Sequence, residues 1–172
     1  MEEGNKMQNP NRMTTKELVL VAMITAATVV IARIFIIPVP MTHGNINLCD
    51  AGIFIAALLL GKRDGAIVGG LSGFLLDLIS GYSQYMLFSL IVHGLEGWVA
   101  GYFGYQTKRS TQIMGLAIAT IVMVAGYFVT DSILYKIPVG ALGVPMNLVQ
   151  GIVGAIVGYL MSYGLKNRIN IR

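Results

Sequence analysis

Apolar residues fill six long stretches of this chain, and polar ones gather in the gaps between them. The first stretch, from Glu17 to Ile36, is close to the ~20 residues that carry a helix across ~30 Å of hydrocarbon. Pro38 and Pro40 follow, and each lacks a backbone donor and restricts the residue before it, so the helix must stop. The segment 41–47 is polar and contains Gly44, as a loop should. The pattern then predicts a second span from Leu48 to Gly61, a third from Gly65 to Ser80 and a fourth from Tyr85 to Tyr105. A fifth runs from Ile113 to Thr130. An outer loop holding Lys136, Pro138 and Pro145 is expected next, and a sixth span from Val144 to Leu165.

Charge gives these spans a direction. Lys6, Arg12 and Lys16 precede the first span; Lys62 and Arg63 follow the second; Lys108 and Arg109 follow the fourth; Lys166, Arg168 and Arg172 follow the sixth. Only Arg33 and Lys136 of the twelve basic residues fall elsewhere. Cytoplasmic loops of membrane proteins carry the excess of Lys and Arg, so both termini are placed inside. The expected fold class is all-α, a polytopic membrane protein with six transmembrane helices. A mean hydropathy of +0.72 with 12% charged residues excludes an ordinary soluble domain. The net charge of +4 reads as clusters facing anionic lipid headgroups, so no nucleic-acid partner is needed. The polar start of the chain fits a signal peptide poorly, because no small-x-small site precedes Arg33. A lone Cys49 forms no intramolecular disulfide.

Glycines recur every four residues at Gly65, Gly69 and Gly73, at Gly97 and Gly101, and at Gly154 and Gly158. Small residues let helix backbones approach in lipid, so these stripes predict packing within the chain. Ala22 and Ala26 form a further small pair, suited equally to internal packing or to another membrane subunit.

Ionisable groups inside a membrane are expensive and usually functional. On the six-span scheme Arg33, His43, Asp50, Asp77, His93, Glu96, Asp131 and Lys136 all fall in the outer half, which predicts a binding cup closed at its cytoplasmic floor. His93 and Glu96 share a helical face, as do Asn147 and Gln150. Tyr82, Gln84, Tyr85, Trp98 and Tyr127 supply aromatic and amide groups of the kind that hold a small heteroaromatic ligand. His93 with Glu96 could equally be an internal pair joining two helices. Arg33 reads as the partner of a carboxylate, and Asp77 and Asp131 as capping or interface-seeking residues. An enzyme using His93 and Glu96, or a metal held by Asp50, Asp77 and His93, is conceivable. However, no zinc-protease, nucleophile-elbow or P-loop motif is present. No cofactor is implied. Four outer carboxylates against two cations disfavour a multiply anionic ligand and suit a neutral or weakly basic one. In that reading Glu96 accepts from an amino group, His93 from a hydroxyl, and Asn147 and Gln150 bond either edge.

The runs Gly44-Asn45-Ile46-Asn47-Leu48-Cys49-Asp50, His93-Gly94-Leu95-Glu96-Gly97 and Val144-Pro145-Met146-Asn147-Leu148-Val149-Gln150-Gly151 resemble the S components of energy-coupling factor (ECF) vitamin transporters, within them the riboflavin-type group. Gly65-Ala66-Ile67-Val68-Gly69-Gly70-Leu71 and Asp77-Leu78 extend the likeness, which covers everything but the N-terminal tail. The resemblance implies a multi-pass cell-membrane subunit without catalysis that captures a vitamin from outside. It implies docking on a transmembrane coupling subunit with two cytoplasmic ATPases, with Ala22 and Ala26 at that contact and residues 37–47 as a lid. The polarity and the spans divide the chain into an expected disordered cytoplasmic tail (1–16), a six-helix substrate-binding domain (17–165) and a second cytoplasmic tail (166–172). The expected ligand contacts are Asn45, Asn47, Asp50, Tyr85, His93, Glu96, Asn147 and Gln150. His93 stands where many riboflavin-type relatives carry a basic residue. The ligand therefore need not be riboflavin, and the charge balance of the cup favours hydroxymethylpyrimidine or pyridoxine, with riboflavin as the alternative.

Overall fold

A computed structural model describes residues 13–166. Helix α1 spans Thr15–Ile34. It starts earlier than its apolar run because Thr14 and Glu17 form a capping box: the Glu17 N–H donates to Thr14 Oγ1 (3.2 Å) and the Thr14 N–H to Glu17 Oε2 (2.8 Å). The expected tail thus shortens at its inner end; residues 1–12 and 167–172 lie outside the described part, with Lys6, Arg12, Arg168 and Arg172 among them. Helix α2 spans Cys49–Leu60 and α3 Lys62–Ser80. Their whole connection is Gly61, at φ +100°, so Lys62 and Arg63 begin α3 instead of forming a loop. Gly81, in the left-handed region at φ +85°, ends α3. Helix α4 spans Met86–Gly104.

The outer loop expected between the last two spans is absent. Helix α5 runs from Arg109 to Tyr135 and α6 from Ile137 to Leu165, with Lys136 alone between them at φ +99°. Pro138 lies in the first turn of α6, where its missing N–H has no intrahelical partner to lose. Pro145 sits inside the helix, which neighbouring helices make tolerable in membrane bundles. Helices α1, α4, α5 and α6 are long and apolar enough to cross a membrane; α2, at 12 residues, is a shorter apolar helix.

One short hairpin departs from the all-helical pattern: β1 (Ile37–Pro38) pairs antiparallel with β2 (Asn45–Ile46), Ile37 opposite Ile46.

Polarity is arranged inside out. Ile34, Ile121, Ile133 and Leu160 lie exposed on the outer faces, while Asp50, Ser89, His93, Glu96 and Gln150 are buried between helices. That suits a hydrocarbon surround, where apolar side chains need no core to hide in. The glycine stripes do pack within the chain. A Cβ on Gly97 would overlap the Gly65 carbonyl, and one on Gly69 the His93 carbonyl, locking α3 against α4. On α6, a Cβ on Gly154 would lie 2.5 Å from Asp50 Cβ and one on Gly158 2.7 Å from Phe54 Cβ. Apolar packing concentrates at the other end from the hairpin, around Phe54, Ala57, Leu58, Ala100, Leu116 and Ala119.

Candidate functional site

The hairpin covers a small cavity framed by α3, α4, α5 and α6. Val39, Thr42, Gly44, Asn45 and Asn47 form its roof; Asp77, Tyr85, His93, Tyr127, Asp131, Asn147 and Gln150 supply its polar walls. Its volume is about 30 Å³, room for water rather than for an aromatic ring.

Each wall residue stands on a helical stripe of spacing three or four. Ser89, His93 and Glu96 share one face of α4, and Asn147 and Gln150 one face of α6. On α5 Tyr127 and Asp131 do the same. Gly73, one turn before Asp77 on α3, leaves space for the ring above it: a Cβ there would lie 2.7 Å from His93 Cδ2. Six of the eight expected contacts line the cavity: Asn45, Asn47, Tyr85, His93, Asn147 and Gln150. Asp50 and Glu96 are placed beneath it, fully buried behind Gln150 and His93.

Gln150 ties roof to floor. Its Oε1 accepts from the Asn47 N–H (2.8 Å), so its amide nitrogen faces Asp50 and donates to both carboxylate oxygens (3.1 and 3.3 Å). Asn47 Oδ1 accepts from the N–H of Cys49, the first residue of α2 (2.8 Å), while its Nδ2 donates to Asn45 Oδ1 (2.9 Å). The hairpin tip rests on α5 through His43, stacked on Tyr135 at 4.1 Å between ring centroids. Tyr85, from the turn before α4, donates to Asp131 Oδ1 (2.6 Å).

A second network runs along the wall. Ser89 Oγ donates to Asp77 Oδ2 (2.5 Å), Tyr127 Oη lies 2.7 Å from Ser89 Oγ and 2.9 Å from His93 Nε2, and His93 Nδ1 lies 2.7 Å from Glu96 Oε2.

Asp77 and Asp131, read from sequence as capping groups, are therefore wall residues, and Ser89 escaped notice altogether. The signal for all three was the shared stripe with Gly73, Tyr127 and His93. Other expectations move outward. Trp98 stacks on Tyr102 (5.3 Å) on the outer face of α4, with the Lys62 ammonium over the Tyr102 ring at 5.3 Å, so it belongs to a cation–π cluster at the inner end. Gln84 is exposed, and Tyr82 does not line the cavity. Arg33 is exposed and forms no ion pair with a carboxylate among those the structure records; Lys136 is exposed at the α5–α6 break. Among the described residues no Lys or Arg lines the cavity.

Donor atoms of Asp50, His93 and Glu96 lie within 4.8 Å of one another. The 2.7 Å separation of His93 Nδ1 from Glu96 Oε2 is a hydrogen-bond length, shorter than the ~3.3 Å between two ligands of a tetrahedral zinc. With Gln150 already on Asp50, the cluster is built as a hydrogen-bonded network.

A bundle with apolar outer faces that buries a polar, aromatic-walled cup under a hairpin defines a membrane protein that binds a small ligand. The profile of the family described as "ECF-type riboflavin transporter, S component" matches residues 12–167, and the chain belongs to that family. It is a transporter component and not an enzyme. The chain is 41% identical over 157 residues to the thiamine precursor transporter HmpT of Lactococcus lactis subsp. cremoris (strain MG1363), covering 91% of this chain and 89% of that protein. An uncharacterised protein of Pyrococcus woesei is 38% identical over 135 residues, covering 77% and 90%. Two solved structures share the fold. The S component of a bacterial ECF transporter superposes with TM-score 0.76 at 23% identity (92% of this chain, 99% of that one). FolT bound with folic acid superposes with TM-score 0.68 at 20% identity (92% and 96%).

Proposed function

We propose that this chain captures hydroxymethylpyrimidine, the amino-bearing heteroaromatic precursor of thiamine, from the outer side of the membrane. The observation that carries this reading is the cavity's polarity. Asp77 and Asp131 face it, with amides, tyrosines and His93 around them and no Lys or Arg among the described residues. Such a wall opposes a phosphate or a polyanion and accepts hydrogen bonds from an amino group. The kinship with HmpT points to the same ligand. Pyridoxine shares the hydroxymethyl pattern and ranks next. Riboflavin is the second reading, favoured by the description of the family.

In this reading all six helices span the membrane, with both termini cytoplasmic and the hairpin outside. The exposed Lys62 and Arg63 at the inner end of α3 support that orientation. Ala22 and Ala26 are exposed on α1, free of the internal packing that glycine serves elsewhere, and so present a smooth face to a transmembrane coupling subunit carrying two ATPases. Mass spectrometry of the small molecule that accompanies the detergent-purified protein tests the assignment. Hydroxymethylpyrimidine is the expected companion; riboflavin in its place would overturn the choice.

A further inference from the structure

The wall network has one consistent set of donors once its ends are fixed. A hydroxyl has a single proton to give, so each bond in a chain of hydroxyls sets the next. Asp77 lines the cavity and accepts from the Ser89 hydroxyl, and as a carboxylate it accepts only. The Ser89 hydroxyl spends its proton on Asp77, so it accepts from Tyr127. Tyr127 then has no proton left for His93, and His93 Nε2 must donate to it. At the far end Glu96 is fully buried, its Oε1 without any hydrogen-bond partner, and an ionised carboxylate left so is costly. The groups around it are Asp50 from α2, a second buried carboxyl group whose two oxygens both accept from Gln150 of α6, so that of the pair it is Glu96 that is left to carry a proton; and His93 on its own helix. Glu96 as the neutral acid satisfies all of these, donating from Oε2 to an unprotonated Nδ1.

We infer that Asp77 is the specificity-determining residue for the amino edge of the ligand, held as an acceptor by the Ser89–Tyr127–His93–Glu96 chain whose proton rests on Glu96. The inference rests on the substrate class proposed above and deepens it. Asp77 Oδ2 is engaged by Ser89, and the carboxylate's other oxygen is left for the ligand. An exocyclic amine meets that oxygen as donor. An analogue lacking the amine leaves it unpaired, which is the more selective arrangement. Glu96, expected from sequence to touch the amine, acts instead as a positioning residue through His93.

Two measurements test this. Histidine is present only at positions 43 and 93, so ¹⁵N-histidine labelling gives two rings, assigned with a His43→Gln variant. Ligand-free protein should show His93 protonated at Nε2 alone, and Glu96→Gln should keep that tautomer because the amide N–H also donates to Nδ1. A ring protonated at Nδ1 alone, or at both nitrogens, would overturn the chain. Calorimetry then compares hydroxymethylpyrimidine with its analogue lacking the amine. The wild type should prefer the amine, and Asp77→Asn should cut that preference by roughly 10- to 100-fold. An equal loss for both ligands would make Asp77 merely structural and overturn the assignment. If the wild type bound neither compound, the substrate reading would fall, and the tautomer would still decide the chain.

Discussion

Single side chains carry the packing of this bundle and line its cavity. At Gly97 the space for a methyl is taken by the Gly65 carbonyl, a backbone atom that cannot swing aside. Gly97→Val should therefore lower stability by about 1–3 kcal/mol or more, seen as a lower unfolding temperature in detergent. Gly164, with nothing within 4 Å of a Cβ, should tolerate Ala with no loss. Equal effects at the two positions would contradict the packing account. At this scale much of the site was legible. His93, Glu96, Asn147 and Gln150 announced themselves as polar residues three apart within apolar helices. Asp50 and Glu96 stand behind the cavity lining and not in it, because sequence shows which face a residue shares, not its depth. Asp77 and Asp131 were undervalued because a carboxylate near a helix end usually reaches the interface, and only the folded bundle turns these two inward.

Among the elements, the hairpin has the most to do. The cavity of about 30 Å³ has no room for a heteroaromatic ring, so the proposed ligand requires the hairpin to shift. Its recorded ties to the bundle are few: the Asn47–Gln150 bond, the Asn47–Cys49 bond and the His43–Tyr135 stack. Asn45→Ala and Asn47→Ala should accelerate ligand release, measured by stopped flow, more than they slow capture, because an ordered lid chiefly sets residence time. Unchanged dissociation in both variants would argue against a lid. Helix boundaries were legible wherever composition changed sharply, as for α2 and α4, each within a residue of expectation. The α5–α6 boundary was not. Two prolines and a lysine read as a loop, yet one proline sits where a helix begins and the other is absorbed within it. Local punctuation was overruled by packing, for Gly140 brings α6 against Phe128 and Ser132 of α5.

At the scale of the whole molecule, the inside-out polarity and the clusters of basic residues made the membrane bundle readable from the chain alone. The short hairpin was not readable, because two-residue strands leave no periodic trace. The face of α1 that carries Ala22 and Ala26 is exposed, and on the proposed reading it meets a partner's helix. Replacing Ala22 and Ala26 together with Leu should abolish vitamin uptake by cells while leaving ligand affinity of the purified protein within about two-fold. Retained uptake would assign docking to another surface.

The central claim is that this cup is built for a small amino-bearing heteroaromatic, and titration calorimetry with hydroxymethylpyrimidine, pyridoxine and riboflavin on the purified wild-type protein tests it most directly. The account predicts tight binding of hydroxymethylpyrimidine, weaker binding of pyridoxine and little heat from riboflavin. Tight binding of riboflavin with no response to the two smaller compounds would contradict it.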